Sequence, residues 1–116
     1  KFPVSSGEQL RDFCYITDIV EAILSSINNK KAYGEIINIA SGSAVTIKEL
    51  VMMVRNIIGK GEPLFGEIDY RKCENMELYA NISKAKKILN WSPKISLQRG
   101  LEMTISSTLD WKNKRI

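Results

Sequence analysis

Residues 34–50 read Gly34-Glu35-Ile36-Ile37-Asn38-Ile39-Ala40-Ser41-Gly42-Ser43-Ala44-Val45-Thr46-Ile47-Lys48-Glu49-Leu50, and this stretch decides the fold class. Ile36 to Ala40 is β-branched and almost continuously apolar, the pattern of a strand covered on both faces, as in a parallel sheet. Ser41-Gly42-Ser43 closes it as a turn. Thr46-Ile47-Lys48-Glu49 is a capping box, with Val45 and Leu50 at the N′ and N4 positions of a hydrophobic staple. The helix it opens carries Ile47, Leu50, Val51, Val54, Ile57 and Ile58 as its apolar stripe, and Gly59 stands where a left-handed residue ends it. A strand, a turn and a capped helix in succession point to an α/β fold.

Upstream, Phe13-Cys14-Tyr15-Ile16 is a short apolar and aromatic run leading into Asp18 and Glu21, which read as an N-cap and its capping-box partner. Ile19, Val20, Ile23, Leu24 and Ile27 recur at helical spacing as far as Asn28-Asn29-Lys30-Lys31, predicting a helix with one buried face. Downstream, residues 59–63 read as loop. One or two short strands are expected between Leu64 and Ala80, with Leu78-Tyr79-Ala80 extended. Asn81 caps a short helix through Leu89, packed through Ile82, Ala85, Ile88 and Leu89, and Asn90-Trp91-Ser92-Pro93 stops it. Ser96 caps a last helix bearing Leu97, Leu101, Ile105 and Leu109, with Lys112, Lys114 and Arg115 at its C-terminal end, where they suit the helix dipole. The expectation is an α/β chain with a small, mixed, partly parallel sheet and about four helices. That sheet looks too small to cover residues 36–40 on both faces.

The length of 116 residues suits one domain, well short of the roughly 250–300 at which chains divide. The 44% hydrophobic and 26% charged residues are ordinary for a globular protein and exclude a disordered or fibrous class. Charged residues or Asn interrupt every apolar run before the roughly 20 residues needed to cross a bilayer, so no membrane role is expected. The chain opens on Lys1 without a signal-peptide pattern, so a fragment or trimmed chain is expected. A formal charge of +4 favours anionic partners, a nucleotide or a nucleic acid fitting equally well. The sequence has no His, which removes imidazole bases, Ser/His and Cys/His nucleophile pairs and imidazole metal ligands. Cys14 and Cys73 stand alone, too few for a zinc cluster or a CxxC pair; reduced thiols and a cytoplasmic setting are the default, with a single Cys14–Cys73 bridge as the lesser alternative.

Neither a GxGxxG nor a GxxxxGK[ST] phosphate loop is present. Asp12 with Asp18, or Glu67 with Asp69, could be paired carboxylates, but a cap and solvated loop charges is the better reading. Lys84, Lys86 and Lys87 read as the solvated face of a helix, and the Trp and Tyr residues as packing. Arg11 precedes an apolar run and follows the flexible Ser5-Ser6-Gly7 stretch; Arg71 has a similar station before Leu78. By position alone both are best read as surface charges. The alternative is that the two guanidinium forks converge on a diphosphate.

The order of features adds to this. Gly7-Glu8-Gln9 with Arg11-Asp12-Phe13-Cys14-Tyr15-Ile16-Thr17-Asp18 resembles the G-x-Q-x-R-D-F-x-Y-V-x-D segment of the extended short-chain dehydrogenase/reductases, the NAD(P)-dependent sugar-nucleotide epimerases and dehydratases. Gly34-Glu35 through Asn38 to Gly42, Thr46 to Leu50, Ser83-Lys84-Ala85 through Leu89 to Lys94, and Gly100-Leu101 with Thr104-Ile105 resemble later segments of that family in the same order. The resemblance implies a single C-terminal substrate-binding domain over residues 1–116, from a Rossmann-type enzyme whose dinucleotide-binding domain is absent. It implies substrate contacts at Arg11 and Arg71 for the diphosphate and at Glu74 for the ribose. Cys73 replaces the Gly or similar small residue of the family's R-x-G-[DE] stretch, and Asn90 stands where Gly is commoner. The catalytic Tyr-x-x-x-Lys has no counterpart, since no Tyr is followed by Lys four residues on.

The chain by itself is therefore expected to bind a nucleotide sugar and to catalyse nothing. It should hold no cofactor or metal, NAD or NADP belonging to the parent enzyme. The expected partners are the nucleotide sugar, the missing Rossmann domain and a possible homodimer. The rival reading is a small basic nucleic-acid-binding or protein-interaction domain, which the spread of basic residues over all helices disfavours.

Overall fold

Three short strands meet at Leu10–Asp12 (β2). It pairs antiparallel with Ala44–Thr46 (β3) and parallel with Glu77–Leu78 (β5), giving the order β3-β2-β5. A separate parallel pair joins Phe2–Val4 (β1) to Pro63–Phe65 (β4). The helices are α1 (Ile16–Ile27), α2 (Ile47–Ile58), α3 (Ser83–Leu89) and α4 (Leu97–Asn113). The computed structural model describes residues 1–113, with side chains described through Asp110. The expectations for Trp111, Lys112, Lys114 and Arg115 lie outside what is described.

The expected class is met: four helices and small, partly parallel sheets. The capping box forms as read, Thr46 Oγ1 accepting from Glu49 N at 3.1 Å and Glu49 Oε2 accepting from Thr46 N at 2.8 Å. Gly59 ends α2 in the left-handed region. Ser96 Oγ accepts from Arg99 N to open α4, whereas Asn81 does not cap α3: its Oδ1 accepts from Ser83 N in a turn, and the N-cap position falls on Ile82 without a side-chain cap. Ile82, Ala85 and Leu89 are buried as the α3 pattern requires, and Asn90 takes the left-handed conformation at φ 50°. The two bonds that Thr46 gives Glu49 hold its carboxyl below the ordinary value of 4.5. A carboxylate with a lowered folded pKa adds stability above its unfolded pKa and loses it as pH falls through the folded one. The urea midpoint is expected to fall below about pH 4.5, and Glu49→Gln should remove this part of the pH dependence, Gln being an adequate N3 partner.

Four further expectations fail. The apolar run 13–16, read as an extended lead into α1, is no strand: β2 ends at Asp12 and α1 starts at Ile16, so Phe13-Cys14-Tyr15 only links the two. Asp18 is no N-cap: it sits inside the first turn, 2% exposed. Its Oδ2 accepts from the backbone amides of Lys94 and Ile95 at 3.0 and 2.9 Å, and its carbonyl accepts from Trp91 Nε1 at 3.0 Å. A tertiary demand from the 91–95 segment thus outranks local capping. Glu21 is ion-paired with Lys94. The α1 stripe is not buried either, since Val20, Ile23, Leu24 and Ile27 are exposed and α1 gives the core only Ala22.

The last failure is residues 36–40, which form no strand. Ile37 and Ile39 pack against the core of Ala22, Ala85, Leu89 and Trp91, while Ile36 and Asn38 face outward. This is the alternation of an extended chain, but no strand lies beside it. The reason is scale: the core is small, and the molecule is flat, 51 × 40 × 20 Å, with a radius of gyration of 17.1 Å. A chain this long ordinarily packs to about 13 Å. Its accessible surface of 8541 Å² exceeds by about 2,100 Å² what a monomer of this mass presents.

Candidate functional site

Arg11 stands in the middle of β2, opposite Val45 of β3 and in register with Leu78 of β5. The turn at residues 71–74 leads toward β5, closed by a hydrogen bond from Glu74 N to the carbonyl of Arg71 at 3.0 Å. The sheet and the turn bring Arg11 and Glu74 together across 63 positions of sequence. Arg11 Nη2 donates to Glu74 Oε1 at 2.6 Å, each side chain about a fifth exposed. Arg11 Nη1 donates to the carbonyl of Leu10 at 2.8 Å, which fixes the fork. Arg71 lies on the same turn, exposed, its guanidinium without a hydrogen bond or ion pair among the described residues. Glu74 Oε2 is likewise unengaged, so beside the ion pair the turn offers one more acceptor oxygen and a second guanidinium.

Two devices hold the turn. Cys73 occupies it at φ 62°, the left-handed region that costs an ordinary side chain roughly 1–2 kcal/mol. The backbone shape that Gly favours is therefore kept with Cys in place. Cys73→Gly should relieve that cost against a loss of about 0.5–1 kcal/mol in backbone entropy, leaving urea stability equal or slightly higher with the Arg11–Glu74 pair intact. The second device is Tyr70, whose role no local pattern signals. Its hydroxyl accepts from Glu8 N at 3.1 Å and donates to Glu8 Oε2 at 3.4 Å, tying the loop that carries Arg71 to the segment before β2.

The Ser5-Ser6-Gly7 stretch is not the flexible lead expected. Gly7 is buried at φ +74° with its carbonyl accepting from Lys48 N, and a Cβ there would meet that nitrogen at 2.8 Å. Asp12 accepts from Ser41 N and Gly42 N at 2.7 and 2.9 Å, so it and Asp18 are both occupied by backbone amides, and neither forms an acid–base pair with the other. Glu67 and Asp69 are exposed, as are Lys84, Lys86 and Lys87, Lys84 pairing with Glu35. Trp91 is buried packing. Both thiols are free; burial and the nearby Asp18 and Asp12 carboxylates raise the Cys14 pKa, which keeps it a neutral thiol. A concavity of about 780 Å³ along α4 beside Tyr15 and Met103 contains none of Arg11, Arg71 or Glu74.

These elements match known proteins. Residues 1–104 fit the family profile of GDP-mannose 4,6 dehydratase. The chain belongs to this family. Its sequence is 35% identical over 111 residues to the UDP-glucuronate 4-epimerase of Thermodesulfobacterium geofontis, covering 95% of this chain and 32% of that protein. Its fold superposes with a TM-score of 0.86 on the UDP-glucose 4-epimerase of Thermotoga maritima solved with UDP-glucose, at 29% identity, over 95% of this chain and 35% of that one. The UDP-glucuronic acid 4-epimerase of Bacillus cereus, solved with UDP-glucuronic acid and NAD, matches with a TM-score of 0.75 and 34% identity over 86% of this chain and 33% of that one. The family is thus one of NAD-dependent nucleotide-sugar enzymes with a Rossmann-type α/β fold. The chain spans about a third of the length of these relatives. No helix among the described residues is long and apolar enough to cross a membrane.

The capped strand-to-helix junction of α2 does not fit a dinucleotide. Its pyrophosphate needs open amides at a glycine-rich strand-to-helix turn. The strand-to-helix junction at Thr46–Ile47 is closed by the Thr46 hydroxyl and the Glu49 carboxylate, which would repel phosphate.

Proposed function

We propose that this chain is the C-terminal, nucleotide-sugar-binding part of an NAD(P)-dependent epimerase or dehydratase, with the dinucleotide held by residues outside it. The observation that carries the reading is the meeting of Arg11 with Glu74, 63 positions away in sequence, on the turn that also carries Arg71. Arg11, oriented by Glu74 Oε1 and the Leu10 carbonyl, keeps further N–H donors for a phosphate, and Arg71 supplies a second fork. Glu74 serves twice: one oxygen aims Arg11, and the other accepts from a ribose hydroxyl. With the diphosphate so gripped, the sugar is fixed relative to whatever does the chemistry, which is the contribution of positioning to rate. Two free cysteines suit a reducing, cytoplasmic setting.

The test is calorimetric titration of the polypeptide carrying this segment, NAD present, with UDP-, dTDP-, CDP- and GDP-sugars and with the matching nucleosides. At least one sugar nucleotide should bind, its nucleoside diphosphate should retain most of the affinity, and the bare nucleoside should lose at least about a hundredfold. A nucleoside that binds as tightly as its diphosphate, or no binding by any of the four, refutes the reading.

A further inference from the structure

Arg71 rides on a surface loop that is pinned at two points. The loop leaves β4 where Ile68 N donates to the Val4 carbonyl, and it rejoins the sheet where the Met76 carbonyl accepts from Leu10 N. Of residues 66–79, only Tyr70 and Glu74 are not exposed. Between Ile68 and Met76 the same two residues make the loop's hydrogen bonds to another segment, among the described residues. Glu74 holds Arg11, and the Tyr70 hydroxyl accepts from Glu8 N at 3.1 Å and donates to Glu8 Oε2 at 3.4 Å. Arg71 lies between the pins, next to the first and three residues before the second. Both pins fasten to one stretch of chain, since Glu8 stands three residues before Arg11.

The pins differ in kind. Arg11 and Glu74 are both ligand-binding groups on the reading above, so their contact is open to competition: a phosphate on Arg11 is a second anion on the same guanidinium. The Tyr70 pin uses a hydroxyl, a backbone amide and the Glu8 carboxylate, which leaves both guanidinium groups free. Tyr70 has no part in the core of Ala22, Ala85, Leu89 and Trp91. Nor does it close the turn, which the bond from Glu74 N to the Arg71 carbonyl does. We propose that Tyr70 is a positioning residue for nucleotide-sugar binding: its bonds to Glu8 hold Arg71 within reach of the diphosphate on Arg11, independently of the Arg11–Glu74 pair. This rests on the reading that Arg11 and Arg71 grip a diphosphate. An Arg on an untethered loop loses both backbone and rotamer freedom when it binds, whereas a loop held beforehand has already lost the backbone part. Fixing the backbone of even one residue is worth about tenfold in affinity.

Tyr70→Phe tests this, because it deletes the hydroxyl and keeps the ring. The titration described above is repeated with whichever UDP-, dTDP-, CDP- or GDP-sugar binds the parent most tightly. The variant should bind it about tenfold more weakly, while the urea midpoint stays near that of the parent, both lost bonds being at the surface. In an Arg71→Ala background Tyr70→Phe should cost almost nothing further, because the residue it positions is gone. A tyrosine that served stability alone would not show this non-additivity. Tyr70→Phe should also speed hydrogen exchange at the Glu8 amide, which loses its acceptor. Unchanged affinity overturns the proposal, as does an equal loss in both backgrounds or an unchanged Glu8 amide. A parent that binds none of the four sugars removes the functional reading and this role together; a parent that binds, with Tyr70→Phe binding as tightly, removes the role of Tyr70 alone.

Discussion

Asp18→Ala is expected to lower stability by about 2–4 kcal/mol. Asp18 is buried, and its Oδ2 is the acceptor for two backbone amides, Lys94 N and Ile95 N, that have no alternative partner among the described residues. Removing the carboxylate strands both donors, which sit partly buried against α1. The loss spreads, because the 91–95 segment is what connects α3 to α4, and Trp91 is seated by its bond to the Asp18 carbonyl. Urea unfolding should show a midpoint lower by roughly 1–2 M. Asp18→Asn keeps one acceptor oxygen for two amides and should fall between. A midpoint for Asp18→Ala within experimental error of the parent would show that the clamp carries no weight.

Arg11→Ala is expected to weaken binding of a nucleoside diphosphate sugar about a hundredfold, a loss of about 2.7 kcal/mol. It also leaves Glu74 facing the site without its cation. Because both side chains are about a fifth exposed, the accompanying stability loss should be modest, about 1–2 kcal/mol. Arg11→Lys keeps the charge but loses the fork, and should recover about half of the binding energy. Arg71→Ala, at an exposed residue whose guanidinium is unengaged, should cost affinity without costing stability. Glu74→Gln should lower affinity severalfold by loosening the aim of Arg11. Titration beside urea unfolding distinguishes these outcomes, and an Arg11→Ala protein that binds as tightly as its parent would remove the guanidinium from the site.

Local chemistry was legible wherever the determinants lie within a few residues of one another. The Thr46–Glu49 capping box, the left-handed Gly59 and Asn90, the Ser96 start of α4 and the inner face of α3 all form as read. The candidate site was legible only through the order of motifs, because Arg11 and Glu74 are 63 residues apart and nothing local couples them. Tyr70 left no trace for the same reason: its role is a bond to Glu8, 62 residues away. Asp18 was misread because Asp three residues before Glu satisfies the capping pattern, and only the arrival of Lys94 and Ile95 shows that the carboxylate is spent elsewhere.

The sequence by itself determined the class, the starts of α2 and α4 and the stop of α2, and the absence of imidazole chemistry, since these depend on backbone propensity, side-chain caps and composition. Tertiary structure decided the rest. It paired Arg11 with Glu74, turned Asp18 inward, and left Ile36 and the α1 stripe uncovered, because burial is a property of what lies opposite a residue and periodicity reports only that a face is apolar. The apolar run at 36–40 stated correctly that it wants a sheet; within these 116 residues there is too little sheet to receive it.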